Sequence, residues 1–203
     1  GYGFIEPMYQ QALPNSAAYN PTIQGREYSV EKAKQLLAEA GYPDGFKYKI
    51  IVSPTGMDRD MMVAVKSYLE KVGIIVELEF PEYAKYLEYR YGTWSGAFLA
   101  QPTGMFPNYN SHIGAYWVAA SQLFLSLDRP QALEELYSKS VKTLKPDPEM
   151  FKEMVKIIHD EALVIPLYNS KSGAIVQNYV CDTGYLSRNV HFTCVPENAW
   201  LNK

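Results

Sequence analysis

The chain is poor in the groups that most enzymes and many binding modules need. It has two cysteines and three histidines in 203 residues. No apolar run approaches the ~18 residues that cross a bilayer as a helix. Acidic residues (22) slightly outnumber basic ones (19), and no basic block occurs, so nucleic acid is not an expected partner. His112, His159 and His191 lie far apart, and none falls in an H-E-x-x-H or comparable metal spacing. His159 neighbours Asp160 and Glu161 on an expected helix, where solvation accounts for it. The chain contains no G-x-S-x-G, no Walker motif and no G-x-G-x-x-G, so neither an activated serine nor a phosphate cradle is written into it. No cofactor is expected. Carboxylates gather on helix faces, as in Glu134-Glu135 and Asp147 with Glu149, where water satisfies them.

Cys181 and Cys194 stand thirteen positions apart. In an oxidising compartment they can close a hairpin-sized loop, a bridge that contributes ~3 kcal/mol in the chain-entropy model. The other reading is two unrelated thiols. A zinc site is disfavoured because C-x-x-C is absent.

Charge is absent from one long segment. Tyr91 to Leu127 holds no Asp, Glu, Lys or Arg, but eight aromatics, with Gln101, Thr103, Asn108, Asn110 and Ser111 among them. Apolar walls with a few placed polar groups are the composition of a small-molecule cleft. The rings can equally be core, which is the favoured reading for Trp94 and Phe98 on an expected strand. Gln101 to Asn110 follow that strand in a Gly/Pro-rich loop. Parallel sheets bind ligands beyond the carboxyl ends of their strands, which makes Phe98, Gln101, Thr103, Phe106, Tyr109 and Asn110 candidate ligand contacts. Ser53, Thr55, Met57 and Asp58 follow another expected strand and open a helix. Backbone donors at such a junction point outward, so Ser53, Thr55 and Asp58 join the candidates.

The rest of the chain is well punctuated. Ser29 can cap a helix whose apolar stripe is Ala33, Leu36, Leu37 and Ala40. Gly41 suits the left-handed position after it, and Pro43 blocks a restart. Asp44-Gly45 turns the chain into an alternating strand over 46–52. A helix is expected over 58–72, with Met61, Met62, Val65, Leu69 and Val72 inward, then a strand over 74–80, a short helix after Pro81 and a strand over 94–99. Helices follow over 130–144 and 148–162, the second announced by Asp147-Pro148-Glu149. Val164–Tyr168 and Gly173–Val180 read as strands. Residues 1–27, with Pro7, Pro14 and Pro21, read as extended connector. Strand-helix alternation implies an α/β layer with parallel strands.

Several of these stretches share wording with one family. Ala33 to Phe46 reads AKQLLAEAGYPDGF, and Leu69 to Val76 matches L-x-K-x-G-I-x-V. Glu82-Tyr83-Ala84-Lys85-Tyr86-Leu87, Asp160 to Tyr168 (D-E-A-x-x-I-P-L-Y) and Pro196 to Leu201 continue the series. The series resembles extracytoplasmic solute-binding proteins of the dipeptide/oligopeptide/nickel class (family 5), the capture subunits of ABC importers. The resemblance spans roughly residues 20 to 203. It implies a type II periplasmic-binding-protein-like lobe, a mixed sheet flanked by helices. It also implies a binding protein rather than an enzyme.

On that resemblance, 1–27 connects from a first lobe, 28–180 is the ligand-binding lobe and 181–203 returns toward the first lobe. Gly1 is preceded by no signal segment or lipobox, so the chain is expected to be a piece of a longer protein. The implied partners are a small solute (peptide, sugar or metal chelate) and membrane permease subunits. The implied state is a monomer, periplasmic or anchored at the cell surface as a lipoprotein. Arg90 falls near a family position that can face ligand; the competing reading is a surface arginine beside Glu88.

In peptide binders of the class, a Gly-Trp segment leads to an Asp that pairs with the peptide's amino terminus. Here Gln101 stands at the Trp position and Gly104 near the Asp position. A buried ammonium without counter-charge is costly, so a neutral or capped solute is expected over a free dipeptide. Two other classes stay open: an interaction module using the 91–127 segment and, weakest, a hydrolase.

Overall fold

The computed structural model describes residues 5–104, 106, 108–145, 147–170, 177–181 and 199–202. The chain divides into two compact units. One joins Arg26–Gly104 to Gly114–Arg129; the other joins Gly1–Gly25, Met105–Ile113 and Pro130–Lys203.

The first unit is built on three strands: β2 (Phe46–Val52), β3 (Ile74–Glu79) and β4 (Ala97–Ala100). Their order is β3-β2-β4 and both pairings are parallel, as the strand-helix alternation requires. Ile50 lies opposite Leu78 on one side and Phe98 on the other. The period of two puts Ile50, Val52, Val76 and Leu78 on one face. Helix α2 (Arg59–Glu70) lays Met62 there, with Met61, Val65 and Leu69 packed around it. Asp58 caps α2 by accepting from the Met61 amide at 2.8 Å.

Helix α1 (Val30–Glu39) begins at Ser29, whose hydroxyl accepts from the Lys32 amide at 3.1 Å. Its stripe buries less than its spacing implies: no residue of α1 is fully buried, and Leu36 is 51 % exposed. Strand β4 begins at Ala97, three residues later than the expected 94–99, and runs on to Ala100. Trp94 is held off the ladder because its amide donates to Ser126 Oγ (2.6 Å) and its indole to the Ala97 carbonyl (3.0 Å).

On the other face, Lys49 Nζ lies 3.0 Å from Glu79 Oε2 and 3.5 Å from Glu77 Oε1. Tyr89, on α3 (Tyr83–Tyr91), donates to Glu79 Oε1 at 2.9 Å. The Lys49 hydrogen bond is the main cause holding the Glu79 carboxyl below its usual value. The same bond lifts the Lys49 ammonium. A depressed acid stabilises the fold above the unfolded carboxylate pKa of ~4.3, and that contribution is lost as pH falls through the lower folded value. The raised Lys49 acts oppositely: its contribution is present below the unfolded lysine value and lost as pH climbs past the folded one. Glu79→Gln is therefore expected to flatten the acid limb of stability against pH. Urea titrations from pH 7 to pH 3 check this; an unchanged limb contradicts it.

The second unit contains helices α5 (Gln131–Val141) and α6 (Pro148–Asp160), which pack together through Leu133, Met154, Val155 and Ile158. Asp147 caps α6 through the Glu149 amide at 3.0 Å, with Pro148 at the first helical position. Two short antiparallel ladders accompany them: β1 (Ile5–Pro7) with β5 (Tyr168–Ser170), and β6 (Val180–Cys181) with β7 (Trp200–Leu201). The strand expected over 164–168 is confined to 168–170, where β1 supplies the partner. Of the one expected over 173–180, residues 173–176 lie outside the described residues.

The opening segment is not extended throughout. After β1 it turns repeatedly, and Gln10 clamps Asn20 with two 2.9 Å bonds, accepting from the amide and donating to the carbonyl. Ala12, Ala18 and Ile23 are buried.

Helix α4 (Tyr109–Tyr116) takes in Tyr109 and Asn110, the last two residues of the stretch read as loop, and runs on beyond it. Its start has Asn108, whose side chain accepts from the Ser111 amide at 3.3 Å.

Candidate functional site

The carboxyl ends of β2 and β4 lie side by side. Ser53 follows Val52, and its amide donates to the Ala100 carbonyl at 2.8 Å, extending the ladder by one step. Beyond it, Gly56 rests against the Pro102 ring. The post-β2 and post-β4 loops, both expected as cleft elements, thus touch. Ser53 is buried; its hydroxyl donates to the Thr55 carbonyl (2.8 Å) and accepts from the Thr55 amide (3.3 Å).

Gln101 is the next residue after β4. Its Oε1 accepts from the Tyr86 hydroxyl at 2.5 Å. Tyr86 lies on α3 and is 1 % exposed. Burial pushes its phenol up, opposed by a hydrogen bond with Ser53 and by the charge of Arg90. Ser53, Tyr86 and Gln101 therefore form one polar cluster at the strand ends.

The other candidates divide. Arg90 follows Tyr86 by one helical turn. Phe98 is 47 % exposed and meets Tyr48 edge-on at 4.7 Å. Thr103 is half-buried in the loop after Gln101. Asp58 is engaged as the α2 cap, and Thr55 is exposed, with its backbone tied to Ser53.

Phe106, Tyr109 and Asn110 belong to the other compact unit. There Tyr109 is 4 % exposed, its ring against Phe151 and His112 at 5.6 Å each. Burial pushes its phenol far above the usual range. Asn110 Oδ1 accepts from Ser140 Oγ at 2.7 Å, and Phe106 sits 6.2 Å from the His112 ring. Cys181 is half-buried in β6; Cys194, its suggested partner, lies outside the described residues.

Tyr86 was not among the sequence candidates. Its signal was faint: one of four tyrosines in a nine-residue helix, four residues before an arginine. Among the described residues no group of three or more His, Cys, Asp or Glu could hold a metal, and no helix is long and apolar enough to cross a membrane.

The family model for bacterial extracellular solute-binding proteins, family 5 Middle, matches residues 1–122. The chain belongs to this family. Heme-binding protein A of Haemophilus influenzae is 47 % identical over 58 residues, covering 25 % of this chain and 11 % of that protein. Among solved structures, the ABC transporter-associated periplasmic binding protein DppA from Helicobacter pylori, in complex with the peptide STSA, is 25 % identical. It covers 100 % of this chain and 40 % of its own, with TM-score 0.72. The Escherichia coli murein tripeptide binding protein MppA shares the fold at TM-score 0.76 and 17 % identity, over 98 % of this chain and 40 % of that one. The chain thus spans about two fifths of these structures. The type II periplasmic-binding-protein class expected from the sequence is the one these family 5 structures share.

Proposed function

We propose that this chain is one lobe of the capture subunit of an ABC importer, holding a small solute without changing it. The carrying observation is the Ser53–Tyr86–Gln101 cluster, at the carboxyl ends of parallel strands in a family 5 fold. Ligands of open α/β sheets bind at such ends because the following loops are free to shape a crevice. In this reading 28–180 supplies one wall of the cleft, and 1–27 and 181–203 connect it to a second lobe. The protein works outside the cytoplasm, periplasmic or lipid-anchored, as a monomer that closes around peptide or another small solute and delivers it to a permease.

The interaction-module reading draws less support. It needs the 91–127 rings at the surface, and Tyr109, Tyr116, Trp117 and Phe124 are buried. A thermal-shift screen of the full-length protein against peptides, sugars and metal chelates tests the proposal. One class should raise Tm in a saturable way, since a ligand at 100 times its Kd adds ~2.7 kcal/mol. No shift with any class counts against it.

A further inference from the structure

We infer that Tyr86 locks the Gln101 amide as a donor-only contact, which selects a carbonyl oxygen of the solute over a hydroxyl or an amine. This rests on the capture reading above and adds which group of the solute is recognised.

A glutamine ordinarily says little about its ligand, because one end of the amide donates, the other accepts, and the group can turn. Gln101 has lost that ambiguity. Its Oε1 accepts from the Tyr86 hydroxyl at 2.5 Å. Tyr86 is held on α3 at 1 % exposure. Burial outweighs the opposing influences of Ser53 and Arg90 and pushes its phenol up, so the hydroxyl keeps the proton it gives to Gln101. The other end of the amide, Nε2, is shielded from water and has no hydrogen-bond partner among the described residues.

The acceptors around it are engaged. Ser53 Oγ donates to the Thr55 carbonyl and accepts from the Thr55 amide. The Ala100 carbonyl, one residue before Gln101, takes the Ser53 amide. The segment from Tyr91 to Leu127 adds no carboxylate. What the cluster has left to give is an amide N–H.

A carbonyl oxygen answers that N–H and brings no proton of its own. A sugar hydroxyl can also accept, but its own proton then meets acceptors already in use. A protonated amine brings donors alone, against a donor. A polar group left unmatched in a dry site costs more than a made bond returns, so the mismatch discriminates between these groups. The solute class selected is an acylated one, such as an N-acylated amino acid or peptide. Gln101 is the specificity-determining contact and Tyr86 its positioning residue.

Calorimetry on the full-length protein tests this with three pools: N-acetylated dipeptide amides, the same dipeptide amides with a free amine, and neutral disaccharides. No pool carries a carboxylate, so the comparison turns on one group. The acetylated pool should bind most tightly. Gln101→Glu keeps an oxygen for Tyr86 and puts an acceptor in place of the unmatched N–H. It should weaken the acetylated pool about tenfold or more and strengthen the free-amine pool. A role in folding alone would move both pools together. Tyr86→Phe releases the amide to turn, so the acetylated pool should lose its lead. Unfolding midpoints of the unliganded variants separate lost recognition from lost folding. Where Gln101→Glu does not fold, Gln101→Leu takes its place and should weaken the acetylated pool alone. A preference of the unaltered protein for amines or disaccharides, or an unchanged ranking in the variants, overturns the donor-only contact and leaves solute capture standing. Binding of none of the three pools also overturns it. Binding of nothing in any solute class counts against capture itself.

Discussion

Gly45→Ala is expected to destabilise the first unit by about 2–5 kcal/mol. Gly45 has φ +74°, a left-handed conformation that costs an L-residue ~1–2 kcal/mol. A Cβ there would also fall 2.0 Å from the Gly73 carbonyl oxygen. That contact is backbone on backbone, so β2 and β3 must part at their first residues, and forced overpacking of this kind costs ~1–3 kcal/mol more. Gly41→Ala is the matched control. It too is left-handed, at φ +89°, but nothing lies within 4 Å of its Cβ position. It should lose only the conformational part. Denaturation midpoints of the two variants check the difference; equal losses would show that the strand contact carries no weight.

Met62→Ala should cost about 2–5 kcal/mol, the range for emptying a buried site of this size. Met62 is 2 % exposed and is the α2 side chain that closes the cluster of Ile50, Val52 and Val76. The sheet has three strands, so few neighbours can shift to fill the hole. Val63→Ala, one residue on and 50 % exposed, should stay within ~0.5 kcal/mol. A small loss at Met62 would mean the cluster is loosely packed and that α2 is held by other contacts.

The Gly45–Gly73 contact also shows why so much of the fold was legible. The phrases ending in Gly45 and Gly73 each stop a helix and start a strand, and these two strands are neighbours with their glycines in register. Ser29 and Asp147 cap as their positions imply, and Asp58, read as the first helical residue and a ligand contact, caps too, because capping is a local contest between a side chain and nearby backbone amides.

What was not legible depended on distant partners. The α1 stripe has the spacing of a core face, yet Leu36 is exposed, since periodicity does not say what lies opposite. Helix α4 is only eight residues long and holds Gly114 within it, so its short stripe of Tyr109, Ile113 and Tyr116 gives little helical signal. Ser53 and Gln101, candidates by the rule of strand ends, do lie next to each other's loops at the ends of β2 and β4. Tyr86 was missed because its role comes from a bond to a residue fifteen positions away. Tyr109 has the composition of a cleft residue, but burial against Phe151 makes it part of a core. Arg90 carried two readings in the sequence, a ligand contact or a surface arginine beside Glu88, and Glu88 pairs with Lys85 instead.

The most direct test of solute capture is a binding titration in which the solute is recovered afterwards. Full-length protein is saturated with the class found by thermal shift, titrated by calorimetry, then denatured, and the released solute is weighed by mass spectrometry. The account predicts one solute per protein and a released mass identical to that added. A released product of altered mass, or no saturable binding by any solute, would contradict it.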